Sequence, residues 1–179
     1  MLISAFWCCR KIRQLQHNLP QVQTGYPFAL PMDWTLILCG GDVYFTDASA
    51  RLPNKAYFSH LGRLLKYDIK TKQVTVLLKG LSGPTGTAVG PDGMFVLVTE
   101  FIGKRIQKYW LKGPKANIAE VLITFKGRPD NIKRNRGGDF WVAVNQEIII
   151  PLVMKPGGIR LDANGTVKES RLINLQYGT

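Results

Sequence analysis

The chain has 179 residues, of which 45% are hydrophobic and 20% are charged, a balance that is typical of a globular protein and unlike that of a disordered one. Every apolar run is shorter than the roughly eighteen residues that a transmembrane helix needs, so we predict no transmembrane segment. The net charge of +12 comes from basic residues spread over turns and strands, with one tight cluster from Arg128 to Arg136. We interpret this charge as a solvated basic surface and predict no nucleic-acid partner.

Residues 1–40 lack the pattern of the rest of the chain. The apolar stretch Met1–Cys9 precedes Arg10, which is the reverse of the order in a signal peptide, so no cleavable signal is expected. Cysteines at positions 8, 9 and 39 show no pairing or metal-ligand spacing. Trp34–Leu38 is predicted as an isolated strand. We therefore divide the chain into an unmatched N-terminal segment, 1–40, and a patterned domain, 41–179.

From residue 41 onward, short alternating segments of β-branched and aromatic residues are separated by turn residues, which predicts an all-β fold. Three of these segments open with a glycine: Gly41–Asp47, Gly93–Thr99 and Gly138–Val144. A second unit, R-[LI]-x-K-Y, follows the first two of them at Arg63–Tyr67 and Arg105–Tyr109.

A third strand follows each copy of that unit, at Val74–Leu78 and Glu120–Thr124. A set of strands that recurs about every 40 to 50 residues is typical of β-propeller blades. Each blade is one such set, and it buries its apolar faces against the neighbouring blades. We predict about three blades, fewer than the roughly four to eight that close a ring.

Turn residues mark the ends of the predicted strands. They form Asp68–Lys72, Gly90–Gly93 and Asn164–Gly165, the last of which favours a two-residue hairpin turn. Asn164 also begins an Asn-Gly-Thr acceptor for N-glycosylation, which would be used if the chain enters the secretory pathway.

The blade segments resemble the strictosidine synthase family of plant propellers. The residues that carry the resemblance are Asp42–Ser49, Gly62–Asp68, Phe95–Glu100, Tyr109–Asn117, Gly127–Arg134 and Gly138–Ala143. The resemblance implies a six-bladed propeller whose founding members join tryptamine to the aldehyde of secologanin by a Pictet–Spengler condensation. It also implies a role in plant alkaloid or related secondary metabolism, and a location in the vacuole or the endomembrane lumen.

The resemblance places the catalytic glutamate of the synthases on a segment that begins just after the one resembling Leu172–Thr179. No residue of this chain is therefore nominated as catalytic, and the chain as it stands is expected to be inactive. Substrate-binding positions do carry over. Phe101 corresponds to an aromatic that covers the indole face, while Ala48 and Gly83 stand where the synthases have larger apolar side chains, which predicts a wider pocket.

Relatives called strictosidine synthase-like suggest other functions, of which ester or lactone hydrolysis is the enzymatic alternative. Asp130 and Asn131 stand where calcium-dependent propeller lactonases place metal ligands, and oxygen donors suit Ca²⁺. Thr85 stands where those lactonases have an asparagine. Calcium is expected only under this alternative, and no other cofactor is expected. A structural turn is the competing interpretation of Asp130-Asn131.

A non-catalytic binding propeller is the third hypothesis. Under the first two, the partner is a small molecule, either an amine with an aldehyde or an ester or lactone. His60 precedes a strand in a shortened loop and is interpreted as a surface residue, since nothing in the sequence marks a group that would orient it as a base.

Overall fold

The computed structural model describes residues 33–39, 42–48, 60–148 and 153–172, and they form twelve strands in three antiparallel sheets. The strands of the first sheet are β1 (Asp33–Cys39), β2 (Asp42–Asp47), β3 (Gly62–Asp68) and β4 (Val74–Leu81). Those of the second are β5 (Pro84–Val89), β6 (Phe95–Glu100), β7 (Arg105–Trp110) and β8 (Ala119–Thr124). Those of the third are β9 (Arg128–Arg134), β10 (Phe140–Ile148), β11 (Val153–Leu161) and β12 (Val167–Leu172).

Within each sheet the strand order follows the chain, and the first strands of consecutive sheets, β1, β5 and β9, lie side by side. This is the arrangement of β-propeller blades, and it confirms the prediction of an all-β fold with about three blades. The strand predicted near Trp34–Leu38 is present as β1, but it is not isolated, because it pairs with β2. The first sheet thus includes a strand that the sequence had placed outside the propeller.

The middle sheet shows why the blades need each other. All six residues of β6 are buried, although alternate side chains of a strand point to opposite faces. Phe95 and Leu97 pack against the third sheet, and Val96 and Val98 pack against the first. Burial on both faces explains why this strand is apolar throughout and does not alternate.

Two apolar clusters hold the three sheets together. The cluster between the second and third sheets contains Ala88, Phe95, Leu97, Ile106, Ile132, Phe140, Val142, Val144 and Leu161. The cluster between the first and second contains Tyr44, Leu64, Leu81, Val89, Val96, Val98 and Tyr109.

The predicted turns connect these strands. Asp68 accepts hydrogen bonds from the backbone N–H groups of Lys70 and Thr71 at 2.8 and 3.0 Å, and these bonds lower the pKa of its carboxyl. Gly93 turns the chain before β6 with a positive φ of 69°. All of these backbone conformations are typical of turns with Asp and Gly.

The β11–β12 hairpin differs in detail from its prediction. The backbone N–H of Asp162 donates to the carbonyl of Thr166, so the loop is the three residues Ala163–Gly165 and not the two predicted. Gly165 has φ of 83°, which fits a three-residue hairpin loop with a glycine in the left-handed region. Burial of Asp162 works against ionisation, but bonds from the backbone N–H groups of Thr166 and Asn164 outweigh it and lower the pKa of the Asp162 carboxyl.

Candidate functional site

The predicted substrate-binding residues lie at one end of the sheets. At this end the second strand of a sheet finishes, the third begins, and the chain enters the next sheet. Ala48 follows β2, Gly83 precedes β5 and Phe101 follows β6. We refer to this end of the sheets as the Phe101 end.

Gly83 and Phe101 are in direct contact, because the backbone N–H of Phe101 donates to the carbonyl of Gly83 at 2.8 Å. The bond joins the start of β5 to the end of β6 and holds the half-buried Phe101 at the end of this inner strand. Ala48 is also half-buried, but it belongs to the first sheet. The shortened loop predicted after it lies largely in residues 49–59, which are outside the described residues.

The space beside Gly83 is not free, contrary to the expectation of a wider pocket at this position. A Cβ added to Gly83 would lie 2.7 Å from Cγ1 of Ile102, and the φ of Gly83 is 60°, in the left-handed region. Ile102 therefore fills the volume that a larger side chain at position 83 would take. The sequence could not show that this space is filled, because Ile102 belongs to the connection between β6 and β7.

An arginine from the third sheet lies against Phe101. Cζ of Arg128, the first residue of β9, is 5.3 Å from the centroid of the Phe101 ring, which is cation–π geometry. In the sequence, Arg128 stood out only as part of a basic cluster and of a segment that carries the family resemblance. Its contact with Phe101 could not be predicted, because the two residues belong to different blades.

Two buried carboxylates at the Phe101 end are paired with arginines in the same way. Asp47 ends β2 and is paired with Arg63 near the start of β3. Glu100 ends β6, is completely buried and accepts from Nε of Arg105 at 2.8 Å and Nη2 at 3.2 Å. Each pair joins the second strand of a blade to the third. These arginines are the first residues of the two copies of the R-[LI]-x-K-Y unit, so the repeated arginine forms an ion pair in each blade.

Glu100 has a further bond that fixes the connection between the first two sheets. Its Oε2 accepts from the backbone N–H of Ser82 at 2.6 Å. The Ser82 hydroxyl in turn shares a hydrogen bond with Nδ1 of His60 at 2.5 Å. His60 is exposed, as expected for a surface residue. Its bond to the buried Ser82 was not predicted, because His60 precedes β3 and Ser82 follows β4. Only the pairing of these two strands brings the residues together.

Asp130 and Asn131 lie within β9, so the interpretation as a turn is wrong. The pairing with β10 steps from Ile132↔Val142 to Pro129↔Val144, which leaves both residues opposite one residue of β10. They form a β-bulge, a feature common beside functional sites. Residues that favour turns are tolerated here because a bulge interrupts the regular hydrogen bonding between the strands.

Thr85 forms a matching bulge in β5, and its side chain reaches Pro129, the residue before the bulge of β9. The Thr85 hydroxyl contacts Oγ1 of Thr99 at 3.1 Å and donates to the carbonyl of Pro129 at 3.5 Å. Ca²⁺ is bound by about six to eight oxygen ligands. Among the described residues, no group of three or more His, Cys, Asp or Glu side chains could hold a metal ion. Calcium at Asp130 and Asn131 therefore stays a prediction.

The predicted glycosylation residue lies at the opposite end of the sheets. Asn164 is exposed in the β11–β12 loop. The neighbouring carbonyl of Ala163 accepts from Nζ of Lys108 in β7 at 3.0 Å, and that Nζ also lies 4.1 Å from the Phe95 ring centroid and 4.3 Å from that of Trp110. Burial in this aromatic setting lowers the pKa of Lys108. Lys108 thus fastens the third sheet to the second.

Comparison with known proteins adds the family to this geometry. The family model described as strictosidine synthase matches residues 35–114. The Arabidopsis thaliana protein STRICTOSIDINE SYNTHASE-LIKE 12 is 42% identical over 146 residues, 77% of this chain and 43% of that protein. Strictosidine synthase of Catharanthus roseus is 43% identical over 134 residues, 69% of this chain and 37% of that enzyme.

The solved structures show the fold. A gluconolactonase from Xanthomonas campestris superposes with a TM-score of 0.63 at 17% identity, over 88% of this chain and 51% of that one. No helix among the residues that the structure describes is long and apolar enough to cross a membrane. The chain spans less than half the length of the curated relatives given above. On its sequence and its blades, the chain belongs to the strictosidine synthase family.

Proposed function

We propose that the Phe101 end forms part of the small-molecule site of a strictosidine synthase-like protein, and that the whole protein joins an amine to an aldehyde in plant secondary metabolism. The observation that carries the proposal is the half-buried Phe101, which the backbone bond to Gly83 holds at the end of β6. A fixed aromatic ring at a strand end offers a planar apolar ligand a stacking surface with little loss of conformational freedom.

The described carboxylates at this end are engaged in structural bonds. Both oxygens of Glu100 bind Arg105, and one of them also binds Ser82. A general acid or base needs a free position for the proton that it transfers. We therefore assign substrate contact to the Phe101 end and proton transfer to a residue other than Glu100.

Binding of indole, a neutral planar probe, tests the site by calorimetry on the full chain. Replacing Phe101 with alanine is expected to weaken binding about tenfold, because the stacking surface is lost. Trp141→Phe, which changes a half-buried aromatic at the start of β10, is the control and should leave binding unchanged. Equal affinity of the Phe101→Ala variant and the unmodified chain would remove the proposal.

The reaction is tested separately. Tryptamine and secologanin are incubated with the whole protein, and the condensation product is sought by mass spectrometry. Indole binding by the whole protein without product would favour the non-catalytic binding propeller.

Hydrolysis of an ester or lactone is the second candidate, and the paired bulges at Thr85 and Asp130-Asn131 are the observation that favours it. They bring Oγ1 of Thr85 in β5 to 3.5 Å from the carbonyl oxygen of Pro129 in β9, the residue before Asp130. Calorimetric titration with Ca²⁺ is the test. Binding that Asp130→Asn weakens would support this candidate, and no heat of binding would count against it.

We propose a location in the vacuole or endomembrane lumen, where Asn164 would carry a glycan. The exposed loop leaves this residue accessible. Expression in plant secretory cells should give a glycosidase-sensitive form that Asn164→Gln abolishes.

A further inference from the structure

We propose that Ser82 and His60 form a nucleophile–base pair that hydrolyses esters of short carboxylic acids. Such a pair needs neither a ligand on Phe101 nor the condensation of an amine with an aldehyde, and so goes beyond the proposed function. The group that attacks the substrate is a serine hydroxyl. Both residues lie at the Phe101 end, His60 before β3 and Ser82 between β4 and β5.

The hydrogen bond between the two side chains is the first reason for this assignment. Oγ of Ser82 lies 2.5 Å from Nδ1 of His60, and the described residues give this hydroxyl no other partner. A buried hydroxyl needs an acceptor for its proton, so we infer that Oγ–H donates to Nδ1 of the neutral ring. A serine bonded to an imidazole nitrogen in this way has the arrangement of an activated nucleophile.

Ser82 is also fixed through its backbone. Its N–H donates to Oε2 of Glu100 at 2.6 Å, and its carbonyl accepts from the N–H of Gly103 at 3.2 Å. Arg105 is paired with Glu100, so the charge of this carboxylate is compensated where negative charge would develop near Ser82. These bonds hold the hydroxyl in one orientation, and a fixed orientation lowers the barrier to its attack on a substrate.

The residue after Ser82 supplies a donor for the oxyanion that the attack forms. The N–H of Gly83 makes no hydrogen bond with the described residues, and the φ of Gly83 is 60°. In hydrolases that carry the serine on a tight turn, the N–H of the following residue stabilises the oxyanion of the tetrahedral intermediate. Gly83 stands in the same position relative to Ser82.

Burial of the hydroxyl limits the size of the acyl group. Ser82 is only 4% exposed, and Ile102 fills the space beside Gly83. In contrast, His60 is exposed, and the neighbouring Leu61 is 51% exposed. The acyl group must therefore be small, such as acetyl, whereas the alcohol part of the ester can lie outside against the apolar side chain of Leu61.

The reaction proceeds in two steps. Oγ of Ser82 attacks the carbonyl carbon of the ester, and its proton passes to Nδ1 of His60 and then to the leaving alkoxide. An alcohol departs, and an acetyl ester of Ser82 remains. Water then attacks this acetyl ester and gives a proton to Nδ1, which returns it to Oγ as acetic acid departs.

Hydrolysis of p-nitrophenyl acetate by the full chain tests the pair, because each turnover releases a coloured phenolate. Ser82→Ala and His60→Gln are each expected to lower the rate above that of buffer by about a hundredfold. The double variant should be no slower than Ser82→Ala alone, since groups that act as a unit are not additive. A chelator should leave the rate unchanged. Loss of activity with the chelator would assign the hydrolysis to a metal ion and overturn the inference.

Ser170 supplies a matched control. It lies exposed in β12, and the hydrogen bonds of the described residues give it no imidazole partner. Ser170→Ala should leave the rate unchanged, although this hydroxyl is far more accessible than that of Ser82.

The position of the acetyl group in the unmodified chain decides the question even if a variant does not fold. Peptide mass spectrometry after an acid quench should find the acetyl ester on Ser82. Acetylation of Ser170 or of lysines alone, or a hydrolysis rate equal to that of buffer, would overturn the inference. Either result would leave the proposed indole site unaffected, because that site is tested by Phe101→Ala.

Discussion

Replacement of Gly83 by alanine tests the geometry of the Phe101 end most directly. The substitution has two separable costs. The φ of 60° is strained for any residue with a Cβ, and the new Cβ would lie 2.7 Å from Cγ1 of Ile102. Gly93 offers a matched comparison, because its φ is 69° and a Cβ there would have nothing within 4 Å. Gly93→Ala therefore carries the strain without the collision.

The expected magnitudes follow from these two terms. Left-handed strain costs about 1–2 kcal/mol, and overpacking costs about 1–3 kcal/mol. We expect Gly93→Ala to lower the free energy of unfolding by about 1–2 kcal/mol and Gly83→Ala by about 2–5 kcal/mol. Urea unfolding followed by far-ultraviolet circular dichroism measures both. Because Phe101 is bonded to Gly83, indole binding should also weaken in Gly83→Ala and remain unchanged in Gly93→Ala.

A double-mutant cycle isolates the collision. In combination with Ile102→Ala, the change at Gly83 should cost about 1–3 kcal/mol less than in the unmodified chain, because the colliding Cγ1 atom is gone. Equal destabilisation by the two glycine variants, together with no coupling to Ile102, would refute the reasoning that Ile102 fills this space.

Three further changes address a buried ion pair, a close approach between two sheets and a hairpin loop. Glu100→Gln should lower the free energy of unfolding, as measured by urea unfolding, by about 2 kcal/mol. This is less than the cost of breaking a fully buried ion pair, because the Arg105 side chain is 30% exposed. Gly86→Ala should destabilise the chain by about 1–3 kcal/mol in the same assay, since its Cβ would lie 3.0 Å from the backbone nitrogen of Ile132. The pKa of Asp162 is lowered on folding, so its contribution is present above the unfolded pKa of about 3.9 and is lost as the pH falls through the lower folded value. Asp162→Asn should therefore lose less stability than the unmodified chain between pH 6 and pH 3, as compared by urea midpoints.

The repeat, the strands and the family could be predicted because they are written in local patterns. A glycine that opens a strand and the R-[LI]-x-K-Y unit each mark one place in a blade, and β2, β3, β6 and β7 lie where these patterns put them. The position of Phe101 at a strand end followed from the same frame.

Contacts between blades could not be predicted in the same way. The ring of Phe101 and the guanidinium of Arg128 come from different sheets, and no local pattern specifies how two blades rotate against each other. Asp130-Asn131 has the composition of a turn, but pairing with β10 overrides that preference and makes it a bulge. Similarly, the pairing of β1 with β2 depends on a partner strand and not on the pattern of β1 itself.

The burial of β6 on both faces has a consequence for how the molecule opens. Of the three described sheets, the middle one is covered by described neighbours on each side, and it is bonded to the third sheet through Thr85 and Lys108. In arrays of stacked units, the unit with two interfaces gains stabilisation from both. Amide hydrogen exchange should therefore be slowest in β6, and local unfolding should begin in strands such as β12, where five of the six residues are exposed.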